Sequence, residues 1–147
     1  KMSKYIKESK LTKNWNSIAI DEFVIIFLFV AKDKGFSYFN NLEELNQKES
    51  KRLKLGSKIL NLMGVKTKLT DNSIKIYGNP YLQVKKKCVI KNYLGDHRIM
   101  AMSTIAALSI GGKWEIHNPD SINTSFPSFF KILRKTFGAK IIWKIEK

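Results

Sequence analysis

The stretch NYLGDHRIMAMSTIAAL, residues 92–108, sets an acid, an imidazole and a guanidinium at Asp96, His97 and Arg98, directly ahead of an apolar helical pattern. An aspartate in that place reads as a helix N-cap, because its carboxylate can accept from backbone N–H groups that the first turn leaves unpaired. His97 and Arg98 need another reason. An arginine in the first turn opposes the helix dipole, which is unfavourable unless an anion lies close by.

The same order stands earlier in the chain. Asp21 opens the apolar run FVIIFLFVA (23–31), which ends near Lys34 and Gly35 and leads into the strand-like FSYFNN (36–41). The helix behind Asp96 ends near Gly111 and Gly112 and leads into KWEIHN (113–118). After the first strand comes a second helix, ESKRLKLGSKILNLMG (49–64), with Leu53, Ile59, Leu60 and Met63 on its apolar face. The short strands VKTKLT (65–70) and SIKIYG (73–78) follow it across a DNS turn. After the later strand come SFPSFFKILRKTFG (125–138) and AKIIWKIEK (139–147), with Gly64 and Gly138 where helix C-caps are expected.

Two copies of helix, strand, helix, strand are therefore expected, the first with an extra strand. Such units cannot bury both faces alone, so they should pack together as an α/β or α+β body. The connector GNPYLQVKKK (78–87), interrupted by Pro80, is the expected seam between units of approximately 1–80 and 81–147. The polar, lysine-rich segment 1–17 reads as the tail of a preceding unit, and a chain that begins at Lys1 reads as a piece of something longer.

Composition bounds the function. A chain of 147 residues with 44% hydrophobic and 12% aromatic content can build one packed domain. Cys88 is the one cysteine and there are two histidines, so neither a disulfide nor a metal-ligand spacing is expected, and a reducing, cytoplasmic setting is the simple reading. The apolar run 23–31 falls well short of the roughly 20 residues a membrane span needs. Asp21 and Glu22 abut it and no small-residue cleavage site follows, which argues against a signal peptide. The net charge of +15, from 27 Lys and Arg against 12 Asp and Glu, fits either an anionic partner or a lysine-rich proteome, and composition does not separate the two. The densest basic cluster, KKKC at 85–88, falls in a connector, and no face interleaving basic residues with exposed aromatics is evident, so nucleic acid is not the expected partner.

NQKESKRLK (46–54) repeats the puzzle of Arg98: Lys48, Lys51 and Arg52 surround Glu49 at a helix start, with Lys48 and Arg52 four apart on one face. Two basic helix starts in one repeated architecture suggest a converging anion site.

IDEF (20–23), KESKRL (48–53), GDHRIMAM (95–102) and SFPSFF (125–130), in that order, resemble the C-terminal part of the 5-enolpyruvylshikimate-3-phosphate synthase (3-phosphoshikimate 1-carboxyvinyltransferase) family, from about Ser17 onward. The resemblance implies a two-lobed enzyme whose lobes each hold three β-α-β-α-β-β units around a substrate cleft, with this chain supplying about two units of the second lobe. It implies transfer of the enolpyruvyl group of phosphoenolpyruvate to the 5-hydroxyl of shikimate 3-phosphate with release of phosphate, in aromatic amino acid biosynthesis. No metal or organic cofactor is implied, and the complete enzyme would be monomeric. Without the first lobe, the chain alone would be inactive.

Carried over by position, Asp21 resembles the proton acceptor on the shikimate ring hydroxyls, Lys48 the lysine on shikimate 3-phosphate, and Glu49 the carboxylate that moves the methylene proton. Arg52 and Arg98 match the two arginines that grip phosphoenolpyruvate, His97 belongs beside them, and Asp96 is a cap and positioning group. The chain departs from the family twice: Thr124 stands where a lysine commonly precedes SFP, and Lys51 where an acid usually precedes the arginine. The alternatives are the fold-sharing UDP-N-acetylglucosamine enolpyruvyl transferase and a non-catalytic anion-binding remnant.

Overall fold

The structure, a computed structural model, describes residues 19–142; residues 1–18 and 143–147, with the expected tail 1–17 among them, lie outside the described residues. A 3-10 turn, Ile20–Glu22, leads into α1 (Phe23–Ala31), β1 (Gly35–Phe39), a second 3-10 turn (Glu43–Asn46), α2 (Arg52–Leu62), β2 (Lys66–Leu69) and β3 (Ile74–Gly78). Beyond the connector come β4 (Cys88–Ile90), α3 (His97–Ile110), β5 (Trp114–Ile116), a 3-10 turn (Pro119–Thr124) and α4 (Phe129–Phe137). This is an α+β arrangement, with an antiparallel sheet of order β1-β3-β2 and a parallel pair β4-β5 that α3 connects.

The apolar run places α1 at the centre. Nine residues are too few for a helix stable by itself in water, so tertiary packing holds it. Phe23 and Phe27 meet Phe39 of β1 with ring centroids 5.8 and 5.5 Å away, and all three side chains are buried. The face of α2 read from the sequence is the one that goes inward: Leu53, Ile59, Leu60 and Met63 are all buried.

Two local expectations need correction. Helix α2 begins at Arg52, not near Glu49, because Lys51 holds a non-helical ψ of 72° as its N-cap. Lys48 therefore shares no helix face with Arg52. At the other end, residues 139–142 carry no regular structure, and the rest of the strand expected over AKIIWKIEK lies outside the described residues.

The sheet also builds a face that the sequence reading did not find. Pleating turns Ser37, Phe39, Ile74 and Ile76 inward and leaves Phe36, Tyr38, Tyr77, Lys66 and Lys75 on the outside. Basic and aromatic side chains do interleave there, across strands rather than along the chain. The Lys75 ammonium lies 3.6 Å from the centre of the Phe36 ring and that of Lys66 lies 5.4 Å from the Tyr77 ring, so cation–π contacts within the sheet engage them.

Gly78 closes β3 against the C-terminal end of α1. A Cβ there would come within 2.3 Å of the Asp33 carbonyl oxygen and 2.4 Å of that of Val30, both backbone atoms that cannot swing aside. Gly78→Ala is expected to lower stability by about 1–3 kcal/mol in urea denaturation, as overpacking does. An unchanged midpoint would mean that the strand end and α1 are not held this closely.

Candidate active site

Strained backbone prepares the start of α3. Asn92, Leu94 and Gly95 all have left-handed φ angles (58°, 56° and 70°), and buried Tyr93 anchors the turn while its carbonyl accepts from the Asp96 amide at 3.0 Å. This turn delivers Asp96 to the N-cap. One carboxylate oxygen, Oδ1, accepts from the backbone N–H of Arg98 (2.9 Å) and Ile99 (3.3 Å). The other, Oδ2, accepts from the Ser50 hydroxyl (2.7 Å) and Arg52 Nε (2.8 Å). A single carboxylate thus ties the start of α3 to the start of α2.

Arg52 is the counterpart of that carboxylate. Its side chain is 2% exposed, and its guanidinium meets three carboxylates from three segments: Asp96 through Nε, Asp21 through Nη1 at 2.7 Å, and Glu49 through Nη2. Lys48 adds to the group, 3.7 Å from Asp21 and 3.3 Å from Glu44. Arg98 reaches back to Glu22 at 2.6 Å. The turn Ile20–Glu22 is therefore where the basic side chains of α2, α3 and the loop before α2 converge.

Of the residues singled out in the sequence, Asp21, Lys48, Glu49, Arg52, Asp96 and Arg98 come together here. His97 is the first residue of α3 and half-buried, and its ring takes no part in the network's hydrogen bonds. Thr124 is exposed, with its hydroxyl donating to the Ser121 carbonyl (3.1 Å), so nothing replaces the family's lysine at that position in this network.

One expectation changes and one holds. Asp21 caps nothing, since its turn has no side-chain cap hydrogen bond; its partners are Arg52 and Lys48. Asp96 is the α3 cap that its place in the sequence implies, taking up the N–H groups of Arg98 and Ile99. Arg52 is a buried, carboxylate-bound hub in the resting chain. Three members escaped sequence reading altogether: Ser50, Glu22 and Glu44. Glu22 carried the one usable signal, a second acid beside Asp21 at a helix start, where an acid is ordinarily spent on the dipole.

Burial works to raise the Asp21 carboxyl, but the Lys48 charge, the Arg52 hydrogen bond and charge, and the Arg98 charge outweigh it and hold the group below the usual carboxylate range. Arg52 is pulled the opposite way: burial favours losing its proton, and Asp96, Glu49 and Asp21 more than compensate, so its pKa rises and it stays charged.

Comparison with known proteins agrees with the motifs. The model of the EPSP synthase (3-phosphoshikimate 1-carboxyvinyltransferase) family matches residues 4–133. The chain belongs to this family. It is 38% identical over 120 residues to the 3-phosphoshikimate 1-carboxyvinyltransferase of Lactococcus lactis subsp. cremoris, covering 81% of this chain and 27% of that protein. The enzyme of the same name from Vesicomyosocius okutanii is 33% identical over 130 residues, 88% of this chain and 29% of its own length. A solved EPSP synthase from Acinetobacter baumannii superposes with a TM-score of 0.70 at 28% identity, over 88% of this chain and 30% of that one. The chain thus spans a little over a quarter of the length of the relatives it matches.

A carboxyl whose folded pKa lies below its unfolded value adds stability above the ordinary carboxylate range, and that stability is lost as pH falls through the folded value. Asp21 is of this kind, and solvent screening of a side chain that is 45% exposed keeps the effect modest. Urea denaturation should therefore show the parent chain more stable than Asp21→Asn near neutrality, with the gap closing as the pH drops below the carboxylate range. A gap that widens on acidification would overturn the assignment.

Proposed function

We propose that this chain contributes the phosphoenolpyruvate-facing half of a site that transfers an enolpyruvyl group to the 5-hydroxyl of shikimate 3-phosphate. The observation that carries the reading is the convergence of Asp21, Lys48, Glu49, Arg52 and Arg98 on one turn of the protein, from segments far apart in sequence. Chance surface charge does not gather the residues of three separate family motifs around one buried arginine.

The chemistry demands these groups. The 5-hydroxyl oxygen attacks C2 of phosphoenolpyruvate while its proton passes to a base and the methylene carbon C3 gains a proton, giving a tetrahedral adduct. The C2–O bond to phosphate then breaks, and C3 gives up a proton as the double bond reforms. No redox step occurs, and the demand is for proton movers and for cations facing a carboxylate and two phosphates.

In this reading Asp21 accepts the hydroxyl proton and Glu49 moves the methylene proton. Lys48 meets shikimate 3-phosphate, Arg52 and Arg98 meet phosphoenolpyruvate in the planar geometry guanidinium offers carboxylate and phosphate, and His97 orients its neighbours. Lys48 and Arg52 keep Asp21 ionised but weakly basic in the resting chain; an anion that takes up the Lys48 charge raises its basicity at the moment a base is needed. Units of approximately 1–80 and 81–147, about two of three β-α-β-α-β-β repeats of one lobe, account for how one chain brings the motifs together. Among the described residues no helix is long and apolar enough to cross a membrane, and a cytoplasmic setting suits substrates of this charge.

Because the relatives are about three times as long, the remaining cations and donors of the site belong to parts beyond this match, and the isolated chain should release no phosphate from phosphoenolpyruvate and shikimate 3-phosphate. It should still bind. Nuclear magnetic resonance titration with phosphoenolpyruvate is expected to shift Lys48, Arg52 and Arg98. Arg98→Ala should weaken that binding by about 10- to 150-fold, the equivalent of one charge-assisted contact of roughly 1.5–3 kcal/mol, with an unchanged melting temperature. Loss of stability with unchanged affinity would make the cluster structural and end this reading.

A further inference from the structure

The carboxylates that neutralise the candidate site are not equally committed. Asp96 is fully enclosed and holds four donors, from Ser50, Arg52, Arg98 and Ile99, so moving it would unmake both helix starts. Glu22 is the opposite. Its side chain is 57% exposed, and Arg98 alone among the described residues engages its carboxylate. It occupies the N-cap position of α1 yet makes no cap hydrogen bond, so no hydrogen bond holds its side chain to its own helix. Its reach is outward, to an arginine in the first turn of α3, the place where a cation against the helix dipole requires an anion.

We propose that Glu22 is a resident counter-ion: it occupies the anion seat of Arg98 in the resting chain, is displaced by the charged end of the incoming ligand, and so sets how tightly the site takes anions. The proposal rests on the reading of Arg98 as a phosphoenolpyruvate cation and gives that step a competitor. Binding becomes an exchange of one carboxylate for another. A ligand gains only the difference between its contact with Arg98 and the contact Glu22 already makes, so every anion that binds there, phosphoenolpyruvate or a simple monocarboxylate such as acetate, is weakened by the same factor. Glu49, also more than half exposed, leaves Arg52 by the same logic, whereas Asp96 stays.

The test is titration of the purified chain with phosphoenolpyruvate and, separately, with acetate, following the Arg98 side-chain and backbone resonances. The proteins compared are the parent chain, Glu22→Gln, and Asp33→Asn, which removes the same charge at the far end of α1. Removing an exposed ion-pair partner should tighten phosphoenolpyruvate and acetate binding alike, by about two- to fivefold, in Glu22→Gln, with Asp33→Asn like the parent. Equal affinity of Glu22→Gln and parent overturns the counter-ion role and leaves the anion site standing. An equal gain in Asp33→Asn overturns it too, by reducing the effect to net charge. If phosphoenolpyruvate moves the Arg98 resonances in none of the three, the anion site itself falls and the counter-ion with it.

Discussion

The ion pair between Arg52 and Asp96 is the constraint around which the rest is arranged. Taking a guanidinium and a carboxylate out of water costs several kcal/mol for each ion, and a folded chain tolerates this only when the remaining donors and acceptors are matched. Here they are. Asp96 divides its two oxygens between the backbone of α3 on one side and Ser50 and Arg52 on the other, and Arg52 spends its free edge on Asp21 and Glu49. The starts of α2 and α3 and the turn Ile20–Glu22 are fixed to one another by charge, as the phenylalanine cluster of α1 and β1 fixes the elements below them.

The chain carries a net charge of +15, yet its candidate anion site is locally acidic: Lys48, Arg52 and Arg98 face Asp21, Glu22, Glu44, Glu49 and Asp96. The lysine excess is elsewhere, including the outer face of the three-stranded sheet, where Lys66 and Lys75 lie over aromatic rings. Overall charge therefore says little about this site. Exposed carboxylates that leave and a buried one that stays would let the cations meet a ligand without being stranded unpaired in its absence.

The four helices and most of the strands were legible because their signals are local: an apolar run bounded by acids, alternation across 73–78, glycine at the ends; β4 was not, because its three residues follow KKK (85–87) directly and read as connector. Residues 139–142 misled because Ile141 and Ile142 are apolar in a strand-like setting, but no described strand pairs with them. The family motifs pointed to Asp21, Lys48, Glu49, Arg52 and Arg98, and the fold brings these side chains near one another. Sequence could not say who pairs with whom. Glu22 and Arg98 are brought together by the packing of α1 on α3, and a three-residue difference in where α2 begins decides whether Lys48 follows Arg52 along a helix or swings to Asp21. The sheet's basic-aromatic face was missed for the same reason, since its members alternate across strands.

A double-mutant cycle on Arg52 and Asp96 measures the organising pair directly. Arg52→Met strands a buried carboxylate, and Asp96→Asn keeps the cap on α3 while setting an amide donor against Arg52; each alone is expected to cost about 3–5 kcal/mol in urea denaturation. The double variant strands no charge, so its loss should fall short of the sum by more than about 1 kcal/mol, the coupling of residues in one network. Additive losses, within about 0.5 kcal/mol, would contradict a site built around this pair.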